Sequence, residues 1–183
     1  MNTIQCIFEE KKQVGALQKA GQVFLGLLLL SLLSPLSVPL PFSPVPLAMQ
    51  SVGILLCGAL MTPRLAATTI ALFLAQGLMG LPVFSVGATF GLARFLGPTG
   101  GYLIGYFVAA VSVAAMLKKG WSLYLSLAIG TLCIWLMGAV HLATFIGFKW
   151  ALLKGVLPFV AGDIMKLLFV GKIAPLLRGK LSR

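Results

Sequence analysis

A carboxylate and an ammonium stand three residues apart in the apolar stretch Pro158-Phe159-Val160-Ala161-Gly162-Asp163-Ile164-Met165-Lys166. Asp163 is the only acidic residue after Glu10. An Asp or Lys at a bilayer centre costs roughly 2.5–3.5 kcal/mol on insertion scales, so such residues face a partner or a cavity. On a helix, Phe159, Asp163 and Lys166 fall at i, i+4 and i+7, which puts ring, acid and base on one face. That face is the candidate binding wall. Arg94 supplies a second cation far away in sequence. Its guanidinium suits bidentate capture of a carboxylate, each charge-assisted bond contributing about 1.5–3 kcal/mol. Lys166 can assist as a point charge, while Asp163, an acceptor only, can take hydrogens from N–H groups. The matching solute is small, mostly apolar, and bears a carboxylate and separate N–H donors. The alternative is an internal Asp163–Lys166 ion pair that neutralises itself, which could still line a pocket.

The rest of the chain must hold these groups inside a membrane. Of 183 residues, 60% are hydrophobic and 9% charged, with a mean hydropathy of +1.07, too little polar surface for a water-soluble globule. At about 20 apolar residues per span, the length accommodates about six spans with short loops, an all-α integral membrane fold in a single domain over 1–183. The net charge of +11 does not signal nucleic acid, because the basic residues punctuate the ends of apolar runs and do not cluster on one face. The three cysteines, Cys6, Cys57 and Cys133, lie far apart with no CxxC spacing and read as small apolar fillers.

In chain order, residues 1–14 form a polar N-terminal segment with no A-x-A cleavage site after it, and a first span is expected over 15–34. Ala16 and Ala20, flanked by Gly15 and Gly21, make a small-xxx-small face for close helix contact, either internal or with another subunit. Residues 34–50 hold Pro35, Pro39, Pro41, Pro44 and Pro46, five prolines in twelve residues that rule out a helix interior. This stiff extended segment, with Phe42, Val45 and Leu47, is either an apolar cap or a plain connector. Spans over 47–62 and 65–78 follow, joined at Thr62-Pro63-Arg64, with Gln50 near the start of one and Gln76 near the end of the other. Residues 80–101 are glycine-rich, carry Arg94, and lack the GxxxxGK[ST] phosphate-loop signature. Irregular apolar backbone at membrane depth is tolerated only where protein buries it or it lines a cavity. Spans over 101–117 and 121–148 come next. The single histidine, His141, has no carboxylate partner in its helix and reads as a hydrogen-bonded packing residue. The last span begins near Pro158 and fades into a basic tail over 178–183.

Six spans place Lys11, Lys12, Lys19, Arg64, Lys118, Lys119, Lys172, Arg178, Lys180 and Arg183 on one side, and Arg94, Lys149 and Lys154 on the other. The positive-inside rule then puts both termini in the cytoplasm and both irregular loops outside, as caps over a pocket. At 1.5 Å per residue from Pro158, Asp163 lies about 8 Å deep and Lys166 about 12 Å deep. No Walker motif, Ser/His pair, paired carboxylates, metal spacing or inverted repeat is present, so the chain reads as one non-enzymatic part of a larger machine that needs no cofactor.

Three ordered blocks, PFSPVP with Gln50, GLPVF and GPTGGYLIGY around Arg94, and PFVAGDIMK, resemble the BioY family, the biotin-specific substrate-binding components of energy-coupling-factor transporters. The resemblance covers residues 15–175. It implies capture of biotin, whose valerate carboxylate, ureido N–H groups and apolar bicycle fit the solute described above. It also implies a transmembrane coupling subunit and two ATPase subunits as partners in the cytoplasmic membrane, with Ala16 and Ala20 as docking residues. The family's polar site residues match Arg94, Asp163 and Lys166, and Phe42, Gln50, Phe84, Tyr102 and Phe159 complete the substrate-binding candidates. Where the family has a polar amide near the end of the third span, this chain reads Gly77-Leu78-Met79-Gly80. A small ion-coupled carrier or channel using Asp163 and Lys166 as a proton relay is the competing reading.

Overall fold

The computed structural model describes the backbone of residues 3–84 and 91–181 and the side chains of 15–84 and 91–178. Within it, eight helices and one two-stranded hairpin follow in the order α1 (Thr3–Leu33), β1 (Ser37–Val38), β2 (Leu47–Ala48), α2 (Gln50–Leu60), α3 (Pro63–Leu78), α4 (Leu92–Leu96), α5 (Gly100–Lys118), α6 (Leu123–Ile146), α7 (Phe148–Gly155) and α8 (Leu157–Leu181). The segments Gly15–Leu33, Gly100–Lys118 and Leu123–Ile146 are long and apolar enough to cross a membrane. α8 is longer, at 25 residues, but carries Asp163, Lys166, Lys172, Arg178 and Lys180.

α2 is the hub. It is apolar on every side, as a helix with no solvent face must be, and every residue from Gln50 to Ala59 is buried. α1, α3, α5 and α8 all pack on it, and α6 touches it across α5. The core has two parts around it. One joins Ile54 and Cys57 to Leu30, Ile70, Phe73, Tyr102, Leu142 and Phe159. The other joins Val52, Leu55 and Leu56 to Val113, Leu127 and Val170. Large apolar side chains such as Phe24, Leu32, Leu136, Val140 and Phe169 stay exposed around the outside, an extent of apolar surface that suits contact with lipid and not water.

α5 and α6 form the closest pair, and glycine is the reason. A Cβ at Gly101 would collide with His141 and the Met137 carbonyl, and one at Gly138 would collide with the Tyr102 ring. Small residues at such crossings let backbones approach and gain dispersion contacts where lipid offers no hydrophobic drive.

Several boundaries differ from the expectations. The span expected over 47–62 is a helix of 11 residues, because Leu47 and Ala48 are spent pairing with Val38 and Ser37. The proline-rich segment is therefore a hairpin whose prolines all lie outside the paired positions, and Met49 N–H closes it onto the Leu36 carbonyl at 2.9 Å. The expected span over 121–148 ends at Ile146. Gly147, at φ +80°, turns the chain into α7, a separate short helix. The basic tail expected from 178 is still helical to Leu181, and Arg178 folds back to donate its Nε hydrogen to the Ala59 carbonyl at 2.9 Å. The glycine-rich segment contains α4, and its residues 85–90 lie outside those described.

Gly138→Val should force Tyr102 off its seat and lower stability by about 1–3 kcal/mol, the usual cost of overpacking. Gly21→Ala, with nothing within 4 Å of the added carbon, should stay within about 0.5 kcal/mol of the parent. Thermal unfolding of the two variants in detergent checks both.

Candidate functional site

α8 carries Phe159, Asp163 and Lys166, and its register turns all three inward. Lys166 and Phe159 are buried, and the Asp163 side chain is 13% exposed. Lys166 Nζ donates to Asp163 Oδ1 at 2.9 Å, to the Ala48 carbonyl at 2.9 Å and to Ser51 Oγ at 3.2 Å. An ammonium has three hydrogens, and each has an acceptor here. The internal ion pair is thus formed, and Lys166 also ties α8 to the junction of β2 and α2. The second carboxylate oxygen, Oδ2, accepts from the Trp135 indole N–H of α6 at 2.8 Å. A carboxylate has about four acceptor positions, so Asp163 keeps capacity for further donors.

Ala48 connects this network to Arg94. A small cavity of ≈ 20 Å³ is lined by Val45, Pro46, Ala48, Gln50, Arg94, Thr99, Tyr102, Leu103 and Tyr106. Arg94 is brought there by α4, a single turn whose side chain points inward at 6% exposure. Burial lowers its pKa, an effect that Tyr106 opposes, and a guanidinium stays protonated regardless. Gln50 is 1% exposed, and its Nε2 has no hydrogen-bond partner among the described residues. Tyr102 donates its hydroxyl hydrogen to the Gly155 carbonyl at 2.7 Å, which pins α5 to the end of α7. Both tyrosines lie within electrostatic reach of Asp163. A buried guanidinium and an amide with unused hydrogens therefore share the cavity at the start of α2, and the carboxylate with its spare lone pairs is tied to the same place through Lys166 and the Ala48 carbonyl.

The remaining candidates are placed differently. Phe159 packs into the core beside Tyr102 and Val45. Phe84 stacks edge-on to Phe73 at 5.6 Å and beside Phe95 at 6.0 Å, so it supports α4 and does not line the Arg94 cavity. Phe42 is 56% exposed and stands in an open groove with Pro41, Ser43, Pro44, Ile146, Trp150 and Lys154. The structure does not bring it to the cavity, because the hairpin tip is held outward by Ser43 Oγ donating to the Lys154 carbonyl at 2.7 Å. Ala16 and Ala20 face outward on α1. His141 donates from Nε2 to the Gly97 carbonyl at 3.0 Å and meets Phe145 edge-on, fixing the turn just after Arg94. That is the packing role expected of it. The side chain of Cys6 lies outside the described residues. Among the described residues no group of three His, Cys, Asp or Glu could hold a metal ion.

Sequence reasoning missed Trp135, Ser51 and Tyr106. Only Tyr106 left a signal, one helical turn after Tyr102 in the block GGYLIGY.

The family model described as the BioY family matches residues 9–183. The "Probable biotin transporter BioY" of Pyrococcus horikoshii is 38% identical over 162 residues, covering 88% of this chain and 98% of that protein. The "Biotin transporter BioY" of Lactococcus lactis subsp. cremoris is 34% identical over 73% of this chain and 70% of that protein. A crystal structure described as the S-component for biotin from an ECF-type ABC transporter superposes with a TM-score of 0.71 at 29% identity, covering 98% of this chain and 95% of that one. With the family model spanning nearly all of its length and a relative at this identity, the chain belongs to the BioY family.

Proposed function

We propose that this chain takes up biotin across the cytoplasmic membrane as the substrate-binding component of an energy-coupling-factor transporter. The relatives support biotin as the solute. The observation that carries the site assignment is the tie from Lys166 to Ala48, because it joins the acid on α8 to the cavity that holds Arg94. Asp163, Lys166 and Arg94 together bring one negative and two positive charges, and the other two acids of the chain are Glu9 and Glu10. A bound carboxylate makes the cluster neutral, which favours an anion in a medium of low dielectric.

In this reading Arg94 and Gln50 hold the valerate carboxylate, and Asp163 accepts the ureido hydrogens. Phe159 and Tyr102 flank the bicycle. The cavity of ≈ 20 Å³ has room for about one water, whereas ligand pockets run to about 300–1,000 Å³. Admission therefore parts the walls, and the wall least embedded in the helical core is the β1–β2 hairpin. α1, α2, α3, α5, α6 and α8 stand where the six spans of one domain over residues 1–183 are expected, α2 reaching only part of the way, with both termini cytoplasmic and the irregular segments capping the pocket outside. The exposed face of Ala16 and Ala20 receives the coupling subunit, and two separate ATPase subunits hydrolyse ATP. The chain itself is not an enzyme.

Isothermal titration of the detergent-solubilised protein should show tight binding of biotin and at least tenfold weaker binding of biotin methyl ester, about 1.4 kcal/mol. Arg94→Ala should weaken biotin by a similar factor while leaving the ester little changed, and Asp163→Asn should weaken both ligands. Wild-type affinity in both variants would refute the assignment of the two ends. In proteoliposomes the purified chain should bind biotin without accumulating it. Accumulation driven by a pH gradient, with no partner subunits present, would favour the ion-coupled carrier.

A further inference from the structure

We infer that Trp135 is a positioning residue for biotin: its indole N–H holds the Asp163 carboxylate in the orientation that receives the ligand's N–H groups. This rests on the proposed role of Asp163. Trp135 stands in the middle of α6, 28 residues from Asp163 in sequence, and its Nε1 meets Oδ2 at 2.8 Å. The indole has one hydrogen and no acceptor, so that contact can only be a donation to the carboxylate. Lys166 holds the other oxygen at 2.9 Å from within α8. One donor on each oxygen fixes the rotation of the carboxylate about its Cβ–Cγ bond, and the lone pairs left over point in a set direction.

The two donors are not equivalent. Lys166 lies on the same helix as Asp163 at i+3 and is saturated by Ala48 and Ser51, so it anchors the acid to α2. Trp135 belongs to the neighbouring helix α6, which packs on α8, and without it Oδ2 has no donor among the described residues. A Phe in its place keeps most of the apolar volume and removes the hydrogen. The carboxylate then turns freely about one anchored oxygen, and the ligand must supply the orientation that the indole supplied before. The cost falls on binding through Asp163 and on nothing else.

A double-mutant cycle read by titration calorimetry tests this. Trp135→Phe should weaken biotin about tenfold in the parent chain, the scale of one hydrogen bond to a charged group. In the Asp163→Asn background the same change should cost less than about twofold, because the group it positions is gone. Equal losses in the two backgrounds, or no loss in the parent, overturn the inference. If Trp135→Phe fails to fold, benzothienylalanine at 135 replaces only the N–H by sulfur and serves in the same cycle. A parent chain that binds no biotin overturns the functional reading, and this inference with it. A parent chain that binds biotin but shows an additive cycle overturns the inference alone.

Discussion

An ammonium surrounded by helices is tolerable only while each of its hydrogens has an acceptor, and the whole interior of this chain is arranged around meeting that demand for Lys166. Its three acceptors come from three places: a carboxylate on its own helix, the carbonyl that ends β2, and a hydroxyl in the first turn of α2. Removing one partner of a buried pair typically costs about 3–5 kcal/mol. The junction of hairpin and α2 is thereby locked to α8, and with it the position of Gln50. Arg94 can approach the same point only because α4 is one turn long and His141 holds the Gly97 carbonyl behind it.

Composition works with this polar cluster. α2 can sit at the centre because it is apolar on all sides, and α5 and α6 can close on each other because glycine stands wherever their backbones come nearest. The polar groups are then confined to the one end of α2 where regular helix gives way to hairpin and single-turn structure. Membrane proteins permit irregular backbone at depth only where it is enclosed or lines a cavity. Val45 and Ala48 are buried, and together with Pro46 they line the cavity.

The sequence made the long elements legible and the short ones obscure. The apolar runs of α1, α5 and α6 and the start of α8 after Pro158 could be read directly, since length and hydropathy dominate there. The hairpin could not, because two paired residues per strand leave no alternation to detect. α7 was hidden by its own apolar residues, and only Gly147 marks the break. For the site, Asp163, Lys166 and Arg94 stood out by type, since charge is scarce in this chain. Ala48 contributes through its backbone carbonyl, which has no signature in sequence. Trp135 and Ser51 reach Asp163 and Lys166 through the relative rotation of α6, α2 and α8, a quantity fixed by packing. Phe42 stands apart from the Arg94 cavity, and loop composition does not say which way a ring will turn.

α2 is 11 residues long, about 16 Å at 1.5 Å per residue, against a hydrocarbon thickness of about 30 Å. The chamber therefore rests on a stub. Directly beneath Gln50 lie Ile54, Leu55, Cys57 and Ala59, each at 2% exposure or less. Solvent has no column to follow along that stub, and a molecule held at its top has nowhere to slide.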